Sequence, residues 1–349
     1  MGGASLTAPA PGRRLAVAAA AAAAVVLSAP FAQQLFTDVS ARWPEQSRTL
    51  GIAATAVPAA AACLVALWRI RERRLLRYAV GACGIGLGAA YIVSTGLTFA
   101  ESFHFAEYGV LAILFHRVWV GADDWSPFAL PLLAGLVVGS ADEWFQWFIP
   151  IRAGEARDVW INLVATACGL LVAVALEPPP RVRLALAPRS RRAVAVWSTG
   201  AVAAFGVFFH TVHIGYEVHD PEIGVFRSRY RPAELIEAAR DRAARWRDRP
   251  PVAQRRLGRE DHYLTEALWH VRQRNEAWGR GDMSAAWREN RILEKFYAPV
   301  LATPTYADPV GHRWPDVQRA EAAERVDGTA RPYASDAYAY PLYIWPTLF

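Results

Sequence analysis

The feature that most constrains this chain is a series of seven long apolar segments within its first 216 residues. A helix needs roughly 20 apolar residues to cross the hydrocarbon layer of a membrane, and each segment meets or approaches that length. Hydrophobic residues make up 54% of the 349-residue chain, which is too apolar for an ordinary soluble domain. The sequence therefore predicts an all-α fold built on a polytopic bundle of about seven transmembrane helices. The segments are Leu15–Phe36, Leu50–Ile70, Tyr78–Phe99, His104–Val120, Phe128–Pro150, Val159–Leu176 and Ala193–Tyr216.

The first segment has a second interpretation, because it follows Arg13-Arg14 and resembles the apolar core of a secretory signal peptide. Its cleavage site is poor, since Leu27 or Pro30 would stand where a small residue is needed. We favour an uncleaved helix, and cleavage stays the alternative. Neither outcome changes the side of the membrane on which the later segments lie.

Arginines in the short loops predict the orientation, because cytoplasmic loops of membrane proteins carry an excess of positive residues. Thirteen loop arginines lie on one side of the predicted helices and four on the other. This bias predicts a cytoplasmic amino terminus in a plasma (inner) membrane. An odd number of spans then places the residues after 216 outside the cytoplasm. The richer side holds Arg13, Arg14, Arg69, Arg71, Arg73, Arg74, Arg77, Arg117, Arg181, Arg183, Arg189, Arg191 and Arg192; the other holds Arg42, Arg48, Arg152 and Arg157.

Beyond residue 216 the chain becomes dense in Arg, Asp and Glu, and we predict a small extracytoplasmic helical domain there. Three amphipathic helices are expected at Pro232–Asp248, Arg259–Arg280 and Asp282–Val300, the last two forming a packed hairpin. An irregular tail beyond Tyr306 ends in aromatic residues that should dock on the hairpin or at the membrane surface. The predicted divisions are three helices in 1–98, a core in 99–176, a cytoplasmic loop and last helix in 177–216, and the exterior domain in 217–349.

Several kinds of site are disfavoured by the sequence. Cys63, Cys83 and Cys168 lie in predicted membrane helices without a CxxC spacing, which argues against a disulfide framework or a zinc site. The arginine clusters flank apolar segments, so they are topology signals and do not indicate nucleic-acid binding. A histidine group, His210, His213 and His219, could suggest a haem or a metal, but no acidic third ligand is fixed near it. We expect no cofactor and no metal.

Polar residues interrupt three apolar segments at one predicted membrane depth. In the fourth segment, the i, i+3, i+7 spacing places three of them on one helix face. The fifth segment ends in polar residues, and the sixth begins with them after a short turn. Candidate ligand-binding residues are therefore Glu101, His104, Glu107, Tyr108, Glu143, Gln146, Arg152, Asp158 and Asn162.

Ionisable residues within membrane spans are costly unless they pair with one another or line a wet cavity, so they indicate a functional site. A structural alternative is a network that only holds the bundle together. Arg152 would then neutralise Glu143 or Asp158, and Asn162 would satisfy backbone groups at a helix end. We favour a ligand-facing role, because the residues lie beside the outer surface where solutes and lipid head groups arrive. Gly84-x-x-x-Gly88 and Gly135-x-x-x-Gly139 are predicted to be helix-packing motifs.

The combination of these residues resembles the signature of the VanZ-like family. The matching pattern is His104-Phe-x-x-Tyr108 with Leu111, then Glu143-x-x-Gln146, Pro150-x-Arg152, Asp158 and Asn162, within about residues 99–176. Ala165 and Ile151 depart from it, since the family usually has glycine at both positions. The resemblance implies an integral protein of the cell envelope, whose founder confers low-level resistance to the glycopeptide teicoplanin.

Together these features predict a non-enzymatic membrane protein that binds an amphiphile: a lipid-linked wall precursor, a lipid head group or a lipoglycopeptide. Arg152 would hold an anionic group of the ligand. One alternative is a membrane-embedded enzyme acting on a lipid-borne substrate, with His104 as general acid or base and Glu107 or Glu143 orienting it. Another is a structural subunit that binds an extracytoplasmic protein partner through residues 217–349.

Overall fold

A computed structural model describes residues 11–97, 99–148, 154–251, 262–305, 308–326, 333–338 and 344–345. Within these ranges the regular secondary structure is helical apart from one two-stranded sheet. The chain divides into two compact units. The first comprises Met1–Gln146 and Gly154–Phe209, and the second comprises Trp147–Ala153 and His210–Phe349.

Seven long helices coincide with the seven predicted apolar segments. Within the described residues, five of them are long and apolar enough to cross a membrane: a stretch of α1, and α3, α5, α6 and α7. This supports a multi-pass membrane protein. Of the other two, α2 is described with its side chains only in part and has a shorter apolar stretch, Ala56–Arg69, within that part, and α4 carries the polar residues of the candidate site. The helices are α1 (Pro11–Arg42), α2 (Pro44–Arg69), α3 (Arg74–Thr95), α4 (Phe99–Trp119), α5 (Ser126–Trp147), α6 (Ala156–Leu176) and α7 (Pro188–His213).

Small residues let three helices approach α6 closely. A Cβ atom added to Gly169 of α6 would lie 2.5 Å from the Gly109 Cα atom of α4. One added to Gly84 of α3 would lie 2.6 Å from the Cys168 carbonyl oxygen, and one added to Gly135 of α5 would lie 2.6 Å from Thr166 Oγ1. The prediction that Gly84 and Gly135 serve helix packing is therefore confirmed. Such contacts are a main source of helix association in lipid.

Side chains of α3 and α4 satisfy the carbonyl groups at the C-terminal end of α6. Arg77 donates to the carbonyl oxygens of Ala175 and Leu176 at 2.7 and 2.8 Å. The buried His116 ring contacts the carbonyl oxygen of Glu177 at 2.8 Å. A helix end leaves its last carbonyls without intrahelical partners, so these contacts fix α6 at one end.

Asp124 joins the starts of two helices. Its carboxylate accepts hydrogen bonds from the Ser126 backbone N–H at the start of α5 and from the Ala187 N–H just before α7, both at 2.9 Å. Burial opposes ionisation, but hydrogen bonds from Ser126, Ala187 and Ser190 outweigh it and lower the pKa of Asp124 to about 2. Asp124 is thus a buried cap, held ionised by the groups that it caps.

A β-hairpin corrects the expectation of an all-α fold. The last predicted helix was extended to Tyr216, but α7 ends at His213 and two antiparallel strands follow, β1 (Tyr216–Asp220) and β2 (Gly224–Ser228). Their turn is fixed by Asp220, whose side chain accepts from the backbone N–H groups of Glu222 and Ile223 at 3.1 Å. Gly224 has φ +117°, a conformation that a residue with a side chain rarely adopts.

The second unit continues with the predicted helices. The first, α8 (Pro232–Asp248), has the predicted bounds, and α9 (His262–Gly279) and α10 (Met283–Phe296) form the predicted hairpin. The start expected at Arg259 lies outside the described residues. Two short helices follow, α11 (Ala298–Ala302) and α12 (Asp316–Glu324), the second within a tail expected to be irregular. The core includes Val218, Phe226, Leu235, Trp246, Tyr263, Leu264, Val271, Ile292, Phe296 and Tyr297.

The described part of the tail docks on the helical hairpin, which confirms one of the two expected docking places. The Tyr333 hydroxyl donates to Glu289 of α10 at 2.6 Å, and the Ser335 hydroxyl donates to the same oxygen at 2.5 Å. The Tyr338 ring lies 4.4 Å from the Trp269 ring of α9, between centroids.

The packing of α6 predicts the effect of a single methyl group. Gly169→Ala should lower the free energy of unfolding by about 1–3 kcal/mol, because the methyl group forces α6 away from α4. Gly86→Ala on α3 is the control, since no described atom lies within 4 Å of its added Cβ. Thermal unfolding of the purified protein in detergent measures both. Equal melting temperatures for Gly169→Ala and the wild type would contradict this packing.

Candidate functional site

Polar side chains from α4, α5 and α6 meet inside the first unit. We call the group the polar cluster, and most of its members are buried although they are ionisable or amide-bearing. Tyr108, Glu143 and Asn162 have 0% of their surface exposed, and Gln146 has 1%. The cluster consists of Glu101, His104, Glu107, Tyr108, Asp142, Glu143, Gln146, Glu155, Arg157, Asp158 and Asn162.

Tyr108 joins α4 to α5. Its hydroxyl donates a hydrogen bond to Asp142 Oδ2 at 3.2 Å. One turn earlier on α4, the His104 ring lies 6.1 Å from the Tyr108 ring, and its Nδ1 lies 3.8 Å from Glu107 Oε2. The helical spacing of these residues places His104 and Tyr108 on the face that α5 covers.

Glu143 joins α5 to the start of α6. Its Oε1 accepts from Gln146 Nε2 at 3.0 Å, and its Oε2 accepts from the Glu155 backbone N–H at 3.2 Å. Gly154 must be glycine here, because a Cβ atom would overlap the Glu143 carbonyl oxygen. The carboxylate therefore receives donors from its own helix and from the chain entering the next one.

An ion pair joins α4 to α6. Arg157 Nη1 lies 2.6 Å from Glu101 Oε1, and the two side chains are 50% and 18% exposed. Exposed pairs contribute only about 0–1 kcal/mol, so this one orients the helix ends more than it stabilises them. Asp158 follows in the first turn of α6, where the helix dipole favours a negative charge.

Asn162 lies one turn deeper on α6. Its backbone carbonyl accepts from the Thr166 hydroxyl at 2.7 Å. The facing residue on α5 is Gly139, where an added Cβ atom would lie 3.5 Å from Asn162 Nδ2. Within the described part of the chain, neither Nδ2 nor Oδ1 of this buried amide has a hydrogen-bond partner.

The structure describes every predicted site residue except one, and it joins several of them in pairs and small groups across α4, α5 and α6. Arg152 lies outside the described residues, so its pairing with Glu143 or Asp158 stays a prediction. Asp142, Glu155 and Arg157 belong to the cluster but were not among the predicted site residues. Their signals were present, because Asp142 is a carboxylate in an apolar segment beside Glu143, and Arg157 immediately precedes Asp158.

The histidines considered as metal ligands do not form a ligand set. His213 is buried, whereas His210 and His219 are exposed. Over the described ranges, no group of three His, Cys, Asp or Glu side chains is placed to share a metal ion. Cys63, Cys83 and Cys168 are free thiols.

Sequence reasoning missed a second buried polar network, in the second unit. Glu266 of α9 accepts from the Ser228 hydroxyl at 2.6 Å, the Arg229 N–H at 2.8 Å and the Tyr297 hydroxyl at 2.8 Å. Burial raises the pKa of Glu266 although these hydrogen bonds favour its ionised form.

Glu289 of α10 is the second carboxylate of this network. It contacts His270 Nδ1 at 2.7 Å in addition to the two tail hydroxyls. The signal was the spacing i, i+4, i+8 of the polar residues Glu266, His270 and Arg274 on a helix with an apolar face. Both carboxylates accept hydrogen bonds from the elements packed around them, so we interpret the network as structural.

Comparison of the chain with protein-family models, with curated proteins and with solved structures found no match. The resemblance to the VanZ-like family therefore stays a prediction. The function is argued below from the geometry of the polar cluster.

The hydrogen bond between α4 and α5 can be tested directly. Tyr108→Phe should lower the free energy of unfolding by about 1–3 kcal/mol, because buried Asp142 loses a donor. Tyr91→Phe on α3 is a matched control, since the Tyr91 ring packs on Phe105 and its hydroxyl bonds to no described residue. Thermal unfolding in detergent should show a lower melting temperature for Tyr108→Phe but not for Tyr91→Phe. Equal decreases in melting temperature would argue against the hydrogen bond.

Proposed function

We propose that this chain is a VanZ-like integral membrane protein of the cell envelope that binds the head group of an amphiphile at the polar cluster. The observation that carries the proposal is the burial of ionisable and amide side chains near the start of α4, the end of α5 and the start of α6. Polar groups at such positions in membrane proteins mark substrate and ion pathways. Replacing buried ionised groups by apolar residues of similar size is often neutral or stabilising, so packing alone does not require carboxylates at these positions.

The chemistry of the cluster suits a polar head group. Glu143 and Asp142 supply carboxylate oxygens, Gln146 and Asn162 supply amides, and Tyr108 supplies a hydroxyl. Such mixed groups recognise a ligand by several directed hydrogen bonds. Under the proposal, Arg152 adds the positive charge that would hold a phosphate or a carboxylate.

An apolar cavity beside α4 suits the hydrocarbon part of an amphiphile. It has a volume of about 280 Å³ and lies between α2, α3, α4 and α6. Its lining includes Ile92, Phe105, Gly109 and Val172, and none of the described residues that line it is charged. Phe105 is adjacent in sequence to His104, so the same turn of α4 faces both the cavity and the polar cluster.

The proposal places the polar cluster at the outer face of the membrane. The arginine bias supports a cytoplasmic amino terminus, and α2 and α4 complete seven spans if the other helices shield their polar residues. With seven spans the second unit lies outside the cytoplasm. There it is available to an exterior protein partner.

One observation favours an enzyme as a second candidate. The 3.8 Å approach of Glu107 to His104 resembles the pairing of a general acid or base with its orienting carboxylate. An enzyme of this kind would lose product formation in His104→Gln while still binding its lipid substrate. If the chain is a binding protein, neither the wild type nor His104→Gln would form a product.

Cysteine accessibility in intact cells tests the orientation. Single cysteines would replace Thr95, Leu184 or Arg280 in a protein whose three native cysteines are changed to serine. All three positions are exposed, and Leu184 is 93% exposed, so protection cannot come from burial. We expect an impermeant maleimide to label positions 95 and 280 but not 184. Labelling of position 184 without labelling of position 280 would indicate the opposite orientation in the membrane.

Lipid-dependent stability tests binding at the polar cluster. Phosphatidylglycerol or monoglucosyl-diacylglycerol, added to the detergent-purified protein, should raise the melting temperature by several degrees, since a ligand at 100 times its Kd stabilises by about 2.7 kcal/mol. Glu143→Gln should lose most of this rise. Glu177→Gln, a change at the other end of α6, is the control and should keep it. No stabilisation of the wild type by either lipid, or an unchanged rise in Glu143→Gln, would contradict the proposal.

A further inference from the structure

Asn162 is the one cluster residue whose whole side chain lacks a protein partner over the described ranges. The amide is fully buried, with 0% of the residue exposed. A buried donor or acceptor without a hydrogen bond costs about 1–3 kcal/mol, and buried polar groups in proteins nearly always have a partner. Leucine has the same branching and the same number of side-chain heavy atoms and would avoid this cost, so packing alone does not explain an asparagine here.

The amide is directed at the polar cluster. Side chains on an α-helix lean toward its N-terminus, and the N-terminal end of α6 carries Asp158. Gly139 brings the α5 backbone against the amide, with an added Cβ only 3.2 Å from the Asn162 Cβ atom. Asp142 and Glu143 lie one turn further along α5, on the same face as Gly139. The Oδ1 and Nδ2 atoms of Asn162 therefore lie on the side of α6 that faces the other buried polar groups.

The sequence offered a structural role for Asn162, the satisfaction of backbone groups at a helix end. The geometry does not support that role, because neither amide atom bonds to a described backbone group. Within the described ranges, the side-chain hydrogen bond found at this residue is the one that the Thr166 hydroxyl donates to the Asn162 backbone carbonyl. That bond would form with any residue at position 162.

We infer that Asn162 recognises a pair of neighbouring hydroxyl groups on the ligand's head group. This inference rests on the proposed function and names the chemistry of its ligand. An amide carries one acceptor oxygen and a donor nitrogen. A hydroxyl can both donate and accept, so one hydroxyl donates to Oδ1 while its neighbour accepts from Nδ2. A phosphate would satisfy only Nδ2, and an ammonium group only Oδ1.

Two head groups present this chemistry in a membrane: the glycerol of a phospholipid and the sugar of a glycolipid. Each has a partner lipid that lacks the hydroxyls. Phosphatidylglycerol and phosphatidylmethanol carry the same charge and differ in the diol. Monoglucosyl-diacylglycerol and diacylglycerol differ in the sugar. Comparing the two lipids of one pair measures the contribution of the hydroxyl groups to binding. Comparing the two pairs shows whether the protein prefers the hydroxyls of glycerol or those of a sugar.

The experiment measures the affinity of the purified wild-type protein for each lipid of both pairs, with matched acyl chains. We expect the hydroxylated member of at least one pair to bind roughly tenfold more tightly, because two net hydrogen bonds contribute about 1.4 kcal/mol. Asn162→Leu should abolish this preference and keep the affinity for the member without hydroxyls. Thr166→Val, which removes a buried hydroxyl one turn away, should keep the preference.

The ligand-free melting temperature separates recognition from folding. Asn162→Leu should melt at or above the wild-type temperature, because an unpartnered polar group is removed. If leucine does not fit against Gly139, the smaller Asn162→Ala removes the same two hydrogen-bonding atoms and should show the same loss of preference.

Two results would overturn the inference and leave the proposed function intact. One is equal binding of both members in each pair, and the other is a hydroxyl preference that survives in Asn162→Leu and Asn162→Ala. In both cases Glu143→Gln would still weaken binding. If no lipid of either pair binds the wild type, the proposed function fails and this inference fails with it.

Discussion

The close approach of α6 to its neighbours is the constraint on which the rest of the first unit depends. Lipid offers no hydrophobic drive for helices to associate, so van der Waals contact and hydrogen bonds must hold them together. Gly169, Gly84 and Gly135 supply the contact, since a single methyl group at any of them would overlap a neighbouring helix. The same approach brings the polar residues of α4 and α5 within reach of α6. Packing and site are therefore consequences of one arrangement.

The ends of the bundle are built differently from each other. At the end where α4 and α6 finish, Arg77, His116 and Asp124 contact backbone groups of neighbouring elements. Each of these polar side chains completes a helix end. At the other end, where α4 and α6 begin, Tyr108 and Glu143 contact polar partners across helices, and Asn162 has an amide that no described group satisfies. Polar groups at the first end complete helix ends, whereas those at the second end form the polar cluster that we propose binds a ligand.

Much of the first unit could be predicted because its signals are local. Segment length and hydropathy predicted six of the seven helices, and the fourth, the shortest and most polar segment, was predicted from its motif. Helical spacing grouped His104 with Tyr108 and Glu143 with Gln146. The polar cluster followed from an up-and-down order of helices, which places the start of α4, the end of α5 and the start of α6 together. Asp142 was missed because adjacent residues on a helix, here Asp142 and Glu143, point in different directions. The sequence does not show that Asp142 faces α4; its hydrogen bond with Tyr108 does.

Two features of the second unit, its β-hairpin and its buried carboxylates, could not be predicted from local sequence patterns. The β-hairpin was missed because strands of five residues give a weak alternation, and its turn depends on Asp220 accepting from two backbone groups. The buried carboxylates were missed because their partners come from distant parts of the chain. Tyr333 and Ser335 reach Glu289 across more than 40 residues of sequence. Long-range pairing of this kind leaves no periodic pattern in the sequence.

The two buried networks differ in how well protein groups satisfy their polar side chains. Burying a carboxylate is costly unless hydrogen bonds compensate. In the second unit Glu266 accepts three hydrogen bonds from protein groups, which offset much of the cost of its burial. In the first unit the amide of Asn162 is buried as deeply and has no such compensation from the described residues. A protein under selection for stability alone would lose an asparagine of this kind to leucine, because that change removes the cost and keeps the branched shape of the side chain. Its presence beside Asp142 and Glu143 is therefore better explained by a ligand than by the fold.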